Sequence, residues 1–245
     1  MINNSFNFFL KEKNNVNIIF QNVDLSFNKK QIFKQLSFKI RSKGISVIMG
    51  PNGSGKTLCL KLIANIVRPD SGNIKINIKE ELNISYVSQR TIFLRRSIYE
   101  NLKYVLKIKK NINSDIDVLI NDVLKIVNFD FISHLSARKL SAGQQQLLSV
   151  IRGLISRPNV LLLDEPFSNL DYKYSLLVEK LLNQISNAGI KIILVTHDLI
   201  QAGKLGDDIF FFSNGKVIKY LKNKKNLKKI FFDLFKKNGN FFFNE

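Results

Sequence analysis

Acidic residues are scarce in this chain of 245: 19 Asp and Glu stand against 38 Lys and Arg, a formal net charge of +19. Cysteine is scarcer still. The single Cys59 cannot form an internal disulfide, and inside a helix expected after a glycine-rich turn it reads as an inert packed thiol. Long apolar runs are missing: none approaches the ~18 residues that cross a bilayer, and the tightest, Val160 to Leu163, stops at Asp164. The start, Met1 to Lys13, is too polar for a secretory signal, because Phe8 to Leu10 falls far short of the apolar stretch that such a signal needs. These absences predict a cytosolic chain. Its length suits one α/β domain, alone or with a small helical insertion, and not two large domains.

Tryptophan is absent altogether, while Asn, Ile, Phe and Lys are abundant. Three causes compete for the positive charge. Nucleic-acid binding would neutralise phosphates with it, but the lysines are scattered, and the densest group, Lys219 to Lys237, adjoins no nucleic-acid motif. Anionic lipid at a cytoplasmic membrane face would attract it. Compositional drift explains both the charge and the residue bias, with membrane proximity as a compatible consequence.

The N-terminal third predicts strands at Asn17 to Phe27, Phe33 to Ile40 and Ile45 to Met49, with turns at Asn28 to Gln31 and Arg41 to Gly44. A helix from Gly55 to about Asn65 follows. Pro69, Ser71 and Gly72 mark a turn before strands at Asn73 to Lys79 and Asn83 to Ser88. Between Ser97 and Phe131 the apolar positions, such as Val118, Leu119, Val123, Ile126 and Val127, fall at helical spacing. Helix (about Ala142 to Ser156), strand (Val160 to Asp164), helix (about Tyr172 to Asn187) and strand (Ile190 to Thr196) then alternate. This β-α-β rhythm implies a largely parallel sheet with right-handed crossovers.

Gly50-Pro51-Asn52-Gly53-Ser54-Gly55-Lys56-Thr57 is a complete phosphate-binding loop standing between an apolar strand and a helix. Its glycines let backbone amides converge on phosphate oxygens while the following helix points its positive end at them. Lys56 is suited to the β/γ-phosphates and Thr57 to magnesium. Val160 to Glu165 forms a buried apolar strand ending in two carboxylates, which places an acid at the sheet edge beside that loop. Asp164 is suited to hold magnesium through water, and Glu165, pointing elsewhere by strand alternation, to act as a general base on water.

Together these segments resemble the ATP-binding cassette (ABC) ATPases, over nearly the whole chain. Leu140-Ser141-Ala142-Gly143-Gln144 resembles the family's signature segment, which implies contact with the γ-phosphate held by a second subunit in a head-to-tail dimer. Read alone, Ser141 is an ordinary helix cap. Gln89 resembles the Q-loop glutamine that reaches magnesium and water. Ser168-Asn169-Leu170-Asp171 resembles the D-loop that crosses the dimer seam. His197 resembles the switch histidine, and Phe27 stands where an aromatic residue stacks on adenine, although as one Phe among 20 it also fits a place in the core. Leu58 and Ala142 depart from the family's usual threonine and glycine, and Ala142 conflicts with a position needing positive φ.

The resemblance implies an α/β fold with a mainly parallel core sheet, an N-terminal antiparallel β part and a helical subdomain inserted at about 90–157 within one nucleotide-binding domain, 1–245. It implies ATP and Mg2+ as ligands, with Phe27, residues 50–58 and residues 141–144 at the nucleotide, and Thr57, Gln89 and Asp164 at the metal. Glu165, His197 and Gln89 become the expected catalytic group. The implied partners are a second ATPase subunit and a transmembrane permease, with an external solute-binding protein acting indirectly and no nucleic acid. The expected location is the cytoplasmic face of the membrane.

Gln89 to Ser97 is similar to the Q-loop region of tungstate-type oxyanion importers, as are Thr196 to Leu199 with Gln201, Ala202 and Leu205, and the short tail after about Phe243. Arg95 and Arg96 fit a solvated surface pair equally well. The alternatives are an importer of another small solute, an exporter, or a non-transport ABC protein acting on nucleic acid or ribosomes.

Overall fold

A computed structural model describes residues 15–108, 115–168, 170–222 and 227–236. Met1 to Lys13, Asn169 and the tail about Phe243 lie outside the described residues. In chain order the elements are β1 (Asn17–Phe27), β2 (Lys30–Ile40), β3 (Ile45–Met49), α1 (Lys56–Ile63), β4 (Ser71–Asn77), β5 (Ile84–Val87), α2 (Ile98–Ile108), α3 (Ile116–Ile126), α4 (Ala142–Leu154), β6 (Val160–Asp164), α5 (Tyr172–Asn187), β7 (Lys191–Val195), α6 (Leu199–Leu205), β8 (Asp208–Ser213), β9 (Lys216–Leu221) and α7 (Leu227–Lys236).

Two sheets result. An antiparallel sheet has the order β2-β1-β4, and a central sheet has the order β5-β6-β7-β3-β8-β9, parallel except for β9. The β1–β2 turn is tighter than the sequence predicts. Asn28 and Lys29 both take positive φ, 51° and 63°, which matches the strand twist and lets Phe27 pair directly with Lys30. Ser71 and Gly72, expected in a turn, belong to β4.

Every residue of β3, β6 and β7 is buried. Alternation sends Val47, Leu161, Leu163, Ile192 and Leu194 to one face, where α2 to α7 pack. The same alternation sends Ile48, Leu162, Ile193 and Val195 to the opposite face, against Cys59 and Leu60 of α1 and Ile18, Phe20 and Phe33 of the antiparallel sheet. Burial on both faces explains why these strands read as unbroken apolar runs rather than as alternating ones. Cys59 is fully buried, and burial pushes its thiol pKa up, as an inert packed thiol requires.

In the middle stretch the described helices are α2 and α3, with a phase in α3 displaced from the expected one. Leu119, Ile120, Val123 and Leu124 face the core and Val118 is exposed. Ile98, Leu102 and Leu106 of α2 join them, and α4 packs against α2, α5, β5 and β6. Each such fully buried Leu or Ile side chain contributes ~1.5–3 kcal/mol to holding this helical layer on the sheet.

Candidate functional site

The C-terminal ends of β3, β6 and β7 meet at one edge of the central sheet. Beyond β3 the chain turns through Gly50 to Gly55 into α1. At Gly50 φ is +149°, and a Cβ there would lie 2.1 Å from the carbonyl oxygen of Phe212. At Gly55 φ is +102°, and a Cβ would lie 2.5 Å from the Phe33 ring. Larger residues are therefore excluded at both ends of the loop by strain and by close backbone and ring packing.

Pro51 accepts a hydrogen bond from the Ser54 amide at 3.2 Å, and the Gly215 amide of the β8–β9 hairpin donates to the Ser54 carbonyl at 3.2 Å. Asn52 and Gly53 form the exposed crest, whereas Ser54 is buried, and its hydroxyl has no hydrogen-bond partner among the described residues. The Lys56 ammonium, only 7% exposed, folds over the loop and donates to the carbonyls of Gly50 at 2.8 Å and Pro51 at 2.9 Å. Burial lowers its pKa, and the charges of Glu165 and Asp164 oppose that shift. Leu58 is partly buried against the α1-side core, so its departure from a hydroxyl residue is a packing choice.

Asp164 ends β6 on the same sheet face as Leu162, toward α1. Its Oδ1 accepts from the Thr57 hydroxyl at 3.1 Å and its Oδ2 from the Tyr86 hydroxyl at 3.1 Å. Burial, and then the neighbouring Asp164 charge, raise the Tyr86 pKa. Glu165 leaves the strand altogether. Its φ is +49°, its amide donates to the Val195 carbonyl at 3.0 Å, and its carbonyl accepts from the amide of Ser168 at 3.2 Å and from the Ser168 hydroxyl at 2.8 Å. That backbone carries Oε2 of Glu165 to 3.0 Å from Nδ1 of His197, pairing a carboxylate 13% exposed with an imidazole 70% exposed. His197 is held in turn because Thr196 donates its amide to Ile48 of β3 at 3.3 Å and Asp198 caps α6.

Lys56, Thr57, Asp164, Glu165 and His197 therefore converge. The donor set fits a triphosphate with magnesium: Mg2+ takes few protein oxygens and keeps waters and phosphate oxygens, so one hydroxyl beside one carboxylate is sufficient. No group of three His, Cys, Asp or Glu able to hold a metal occurs among the described residues, and this chemistry needs none.

No hydrogen bond joins Gln89, Phe27 or residues 141–144 to this cluster among the described residues. Gln89, just past β5, is exposed. Phe27, at the end of β1, is 48% exposed, which removes the reading of it as core. Ser141 and Ala142 are exposed at the start of α4, and Gly143 is buried. Ser141 accepts from the Gln144 amide at 3.2 Å while Gln144 Oε1 accepts from the Ser141 amide at 3.0 Å, a reciprocal cap. Ala142 is not among the positive-φ residues, so glycine is not needed there for conformation. Of the D-loop segment, Asp171 caps α5 through the Tyr174 amide at 2.9 Å, Ser168 bonds Glu165, and Asn169 lies outside the described residues.

Tyr86 is the contact that sequence reasoning missed. The parallel β5–β6 register, Tyr86 opposite Leu162, puts it diagonally beside Asp164, and no local pattern in the sequence marks that pairing.

The ABC transporter family profile matches residues 33–168. The spermidine/putrescine import ATP-binding protein PotA of Fusobacterium nucleatum is 38% identical over 218 residues, 84% of this chain and 57% of that protein. The molybdate/tungstate import ATP-binding protein WtpC of Methanocaldococcus jannaschii is 36% identical over 208 residues, 80% of this chain and 69% of that protein. The sulfate/thiosulfate import ATP-binding protein CysA of Mesostigma viride is 32% identical over 211 residues, 82% of this chain and 61% of that protein. The chain thus spans 57% to 69% of the length of these relatives. A solved ATP-binding cassette, a dimer in a post-hydrolysis state bound to ADP and Pi, shares the fold with a TM-score of 0.74 at 24% identity, covering 84% of this chain and 98% of its own. With residues 50–57, Gln89, residues 140–144 and the adjacent Asp164 and Glu165 all inside the matched interval, the chain belongs to the ABC transporter family.

Proposed function

We propose that this chain is an ATP-hydrolysing subunit of an ABC importer. The observation that carries the reading is the convergence of Lys56, Thr57 and Asp164 with the Glu165–His197 pair at one sheet edge. The loop amides, the N-terminus of α1 and Lys56 bind the phosphates of ATP. Thr57, Asp164 and Gln89 would hold Mg2+. Bound magnesium supplies charge neutralisation at the phosphate oxygens. Glu165 accepts the proton of the attacking water, and its close contact with His197 keeps the carboxylate oriented. Phe27 offers an exposed ring face to adenine.

Ser141, Ala142, Gly143 and Gln144 open α4, with Ser141 and Ala142 exposed, so a second copy supplies the triphosphate they meet and two chains assemble head to tail. The whole of 1–245 then acts as one nucleotide-binding domain, with the inserted helical subdomain at about 90–157 beside Gln89. No helix among the described residues is long and apolar enough to cross a membrane. A permease provides the path, and this chain works at its cytoplasmic face.

For the solute, tungstate or a related oxyanion is the reading supported by the molybdate/tungstate relative at 36% identity, and the spermidine/putrescine relative at 38% makes a polyamine the rival. The test is capture of Glu165→Gln with ATP from solubilised native membranes, then reconstitution of whatever permease is recovered into vesicles with the unsubstituted chain. ATP-driven tungstate uptake without spermidine uptake is expected. Spermidine uptake transfers the chain to the rival solute, and recovery of ribosomes or nucleic acid without a membrane protein removes the transport reading.

A further inference from the structure

Asp164 is gripped from two sides. Thr57 of α1 donates to Oδ1 and Tyr86 of β5 donates to Oδ2, each at 3.1 Å. The second contact follows from strand register: Tyr86 sits opposite Leu162 in the parallel β5–β6 pair, Asp164 lies two residues further on the same face, and the long phenol spans that diagonal. A carboxylate with one donor turns freely about its last bond. With Tyr86 on Oδ2, the plane of the group is set and Oδ1 is directed toward Thr57.

We propose that the Tyr86 hydroxyl is a positioning residue for magnesium, holding the Asp164 carboxylate in its metal-facing orientation from outside the ligand set; this rests on the reading of Asp164 as a magnesium-holding group. When the Thr57 hydroxyl turns to the metal, the Tyr86 bond is the one that remains on the carboxylate. Its ring packs against the α1-side core, so loss of the hydroxyl alone leaves that packing in place.

The experiment is equilibrium binding of trinitrophenyl-ATP titrated with Mg2+, in a Glu165→Gln background that blocks turnover. Tyr86→Phe, Tyr86→Met and Asp164→Asn are compared with the background protein, and thermal melts check folding. Tyr86→Phe is expected to raise the half-saturating Mg2+ concentration about ten-fold, the lower end of what loss of an outer partner of a metal ligand costs. Affinity for the nucleotide in EDTA is expected to stay unchanged. Tyr86→Met, which removes the same donor but packs differently, is expected to give the same shift. If Asp164→Asn moves the Mg2+ midpoint and neither Tyr86 variant does, the positioning role is wrong while the reading of Asp164 stands. If Asp164→Asn leaves the midpoint in place, the reading of Asp164 fails and the proposal fails with it. An equal loss of affinity in EDTA and in Mg2+ assigns Tyr86 to packing and overturns the proposal as well.

Discussion

Nδ1 of His197 lies 3.0 Å from Oε2 of Glu165, joining the residues that follow the ends of the adjacent strands β6 and β7. The contact exists because Glu165 adopts φ +49° rather than continuing the strand. Glu165→Gln keeps the side-chain shape and removes the proton acceptor. Nucleotide affinity is expected to remain within about two-fold while turnover falls ~10²–10⁴-fold, the usual contribution of a positioned base. Steady-state hydrolysis and equilibrium binding on the same preparation check it, and unchanged turnover removes Glu165 from the base role.

Phe27 makes a different kind of prediction, because it is half exposed and ends a strand. Phe27→Ala removes a ring face and almost no core. ATP affinity is expected to fall about three- to ten-fold, from ~0.5–1.5 kcal/mol of lost aromatic stacking, with an unchanged melting temperature. A lowered melting temperature with unchanged affinity assigns the residue to the hairpin instead.

Much of this site was legible because its elements announce themselves locally. β3 and β6 are unbroken apolar runs buried on both faces, and α5 carries its own start signal in Asp171 and ends just before Gly189. What was not legible depends on tertiary context. Glutamate does not favour the left-handed region, and Glu165 enters it because Ser168 and Val195 satisfy its backbone. Ser71 and Gly72 look like a turn in isolation, yet they pair across an irregularity in β1 beside Asn22, where Gly72 takes φ +74°. Val118 fits the apolar spacing of its helix, but the neighbours of α3 select the face one residue further on. Tyr86 carries no local mark of its contact, since only the β5–β6 register brings it to Asp164.

At the opposite edge of the sheet, Lys191 is fully buried and donates to the carbonyls of Lys43 and Gly44, each at 3.1 Å, and to Ser46 Oγ at 2.7 Å, which in turn donates to Asp208. Burial lowers its pKa from 10.5 to about 8, against the pull of Asp208 and Asp207. Between those two pH values the unfolded chain holds a proton that the folded chain has released, so folding stability from this group rises with pH across the window and is flat below it. The depression corresponds to about 3 kcal/mol over the full window. Urea unfolding of the native chain and of Lys191→Met is therefore expected to diverge from pH 8 to 10, with the native chain gaining relative stability. Parallel curves contradict the assignment.

The signature segment gives the most discriminating test, because a cap and a trans contact respond differently to one change. Ser141→Ala removes the reciprocal cap with Gln144, expected to cost ~1 kcal/mol of stability. If Ser141 also meets the triphosphate of a second copy, hydrolysis falls far beyond what that loss explains. Lys56→Ala is expected to damage the other half of the proposed composite site, because a hydrogen-bonded charge facing phosphate is worth ~1.5–3 kcal/mol, or ten- to more than a hundred-fold in affinity. In the proposed head-to-tail assembly, the loop of one chain pairs with residues 141–144 of the other. A hybrid of the two variants then contains one site with both parts intact and one with both parts damaged. Mixed in equal amounts and assembled at random, half the dimers are hybrids, so about a quarter of the native sites return although neither variant alone turns over appreciably. Rates measured on the mixture across a range of ratios should peak near equality. A mixture no faster than the mean of its components would mean that Ser141 serves its own helix and nothing in a neighbour.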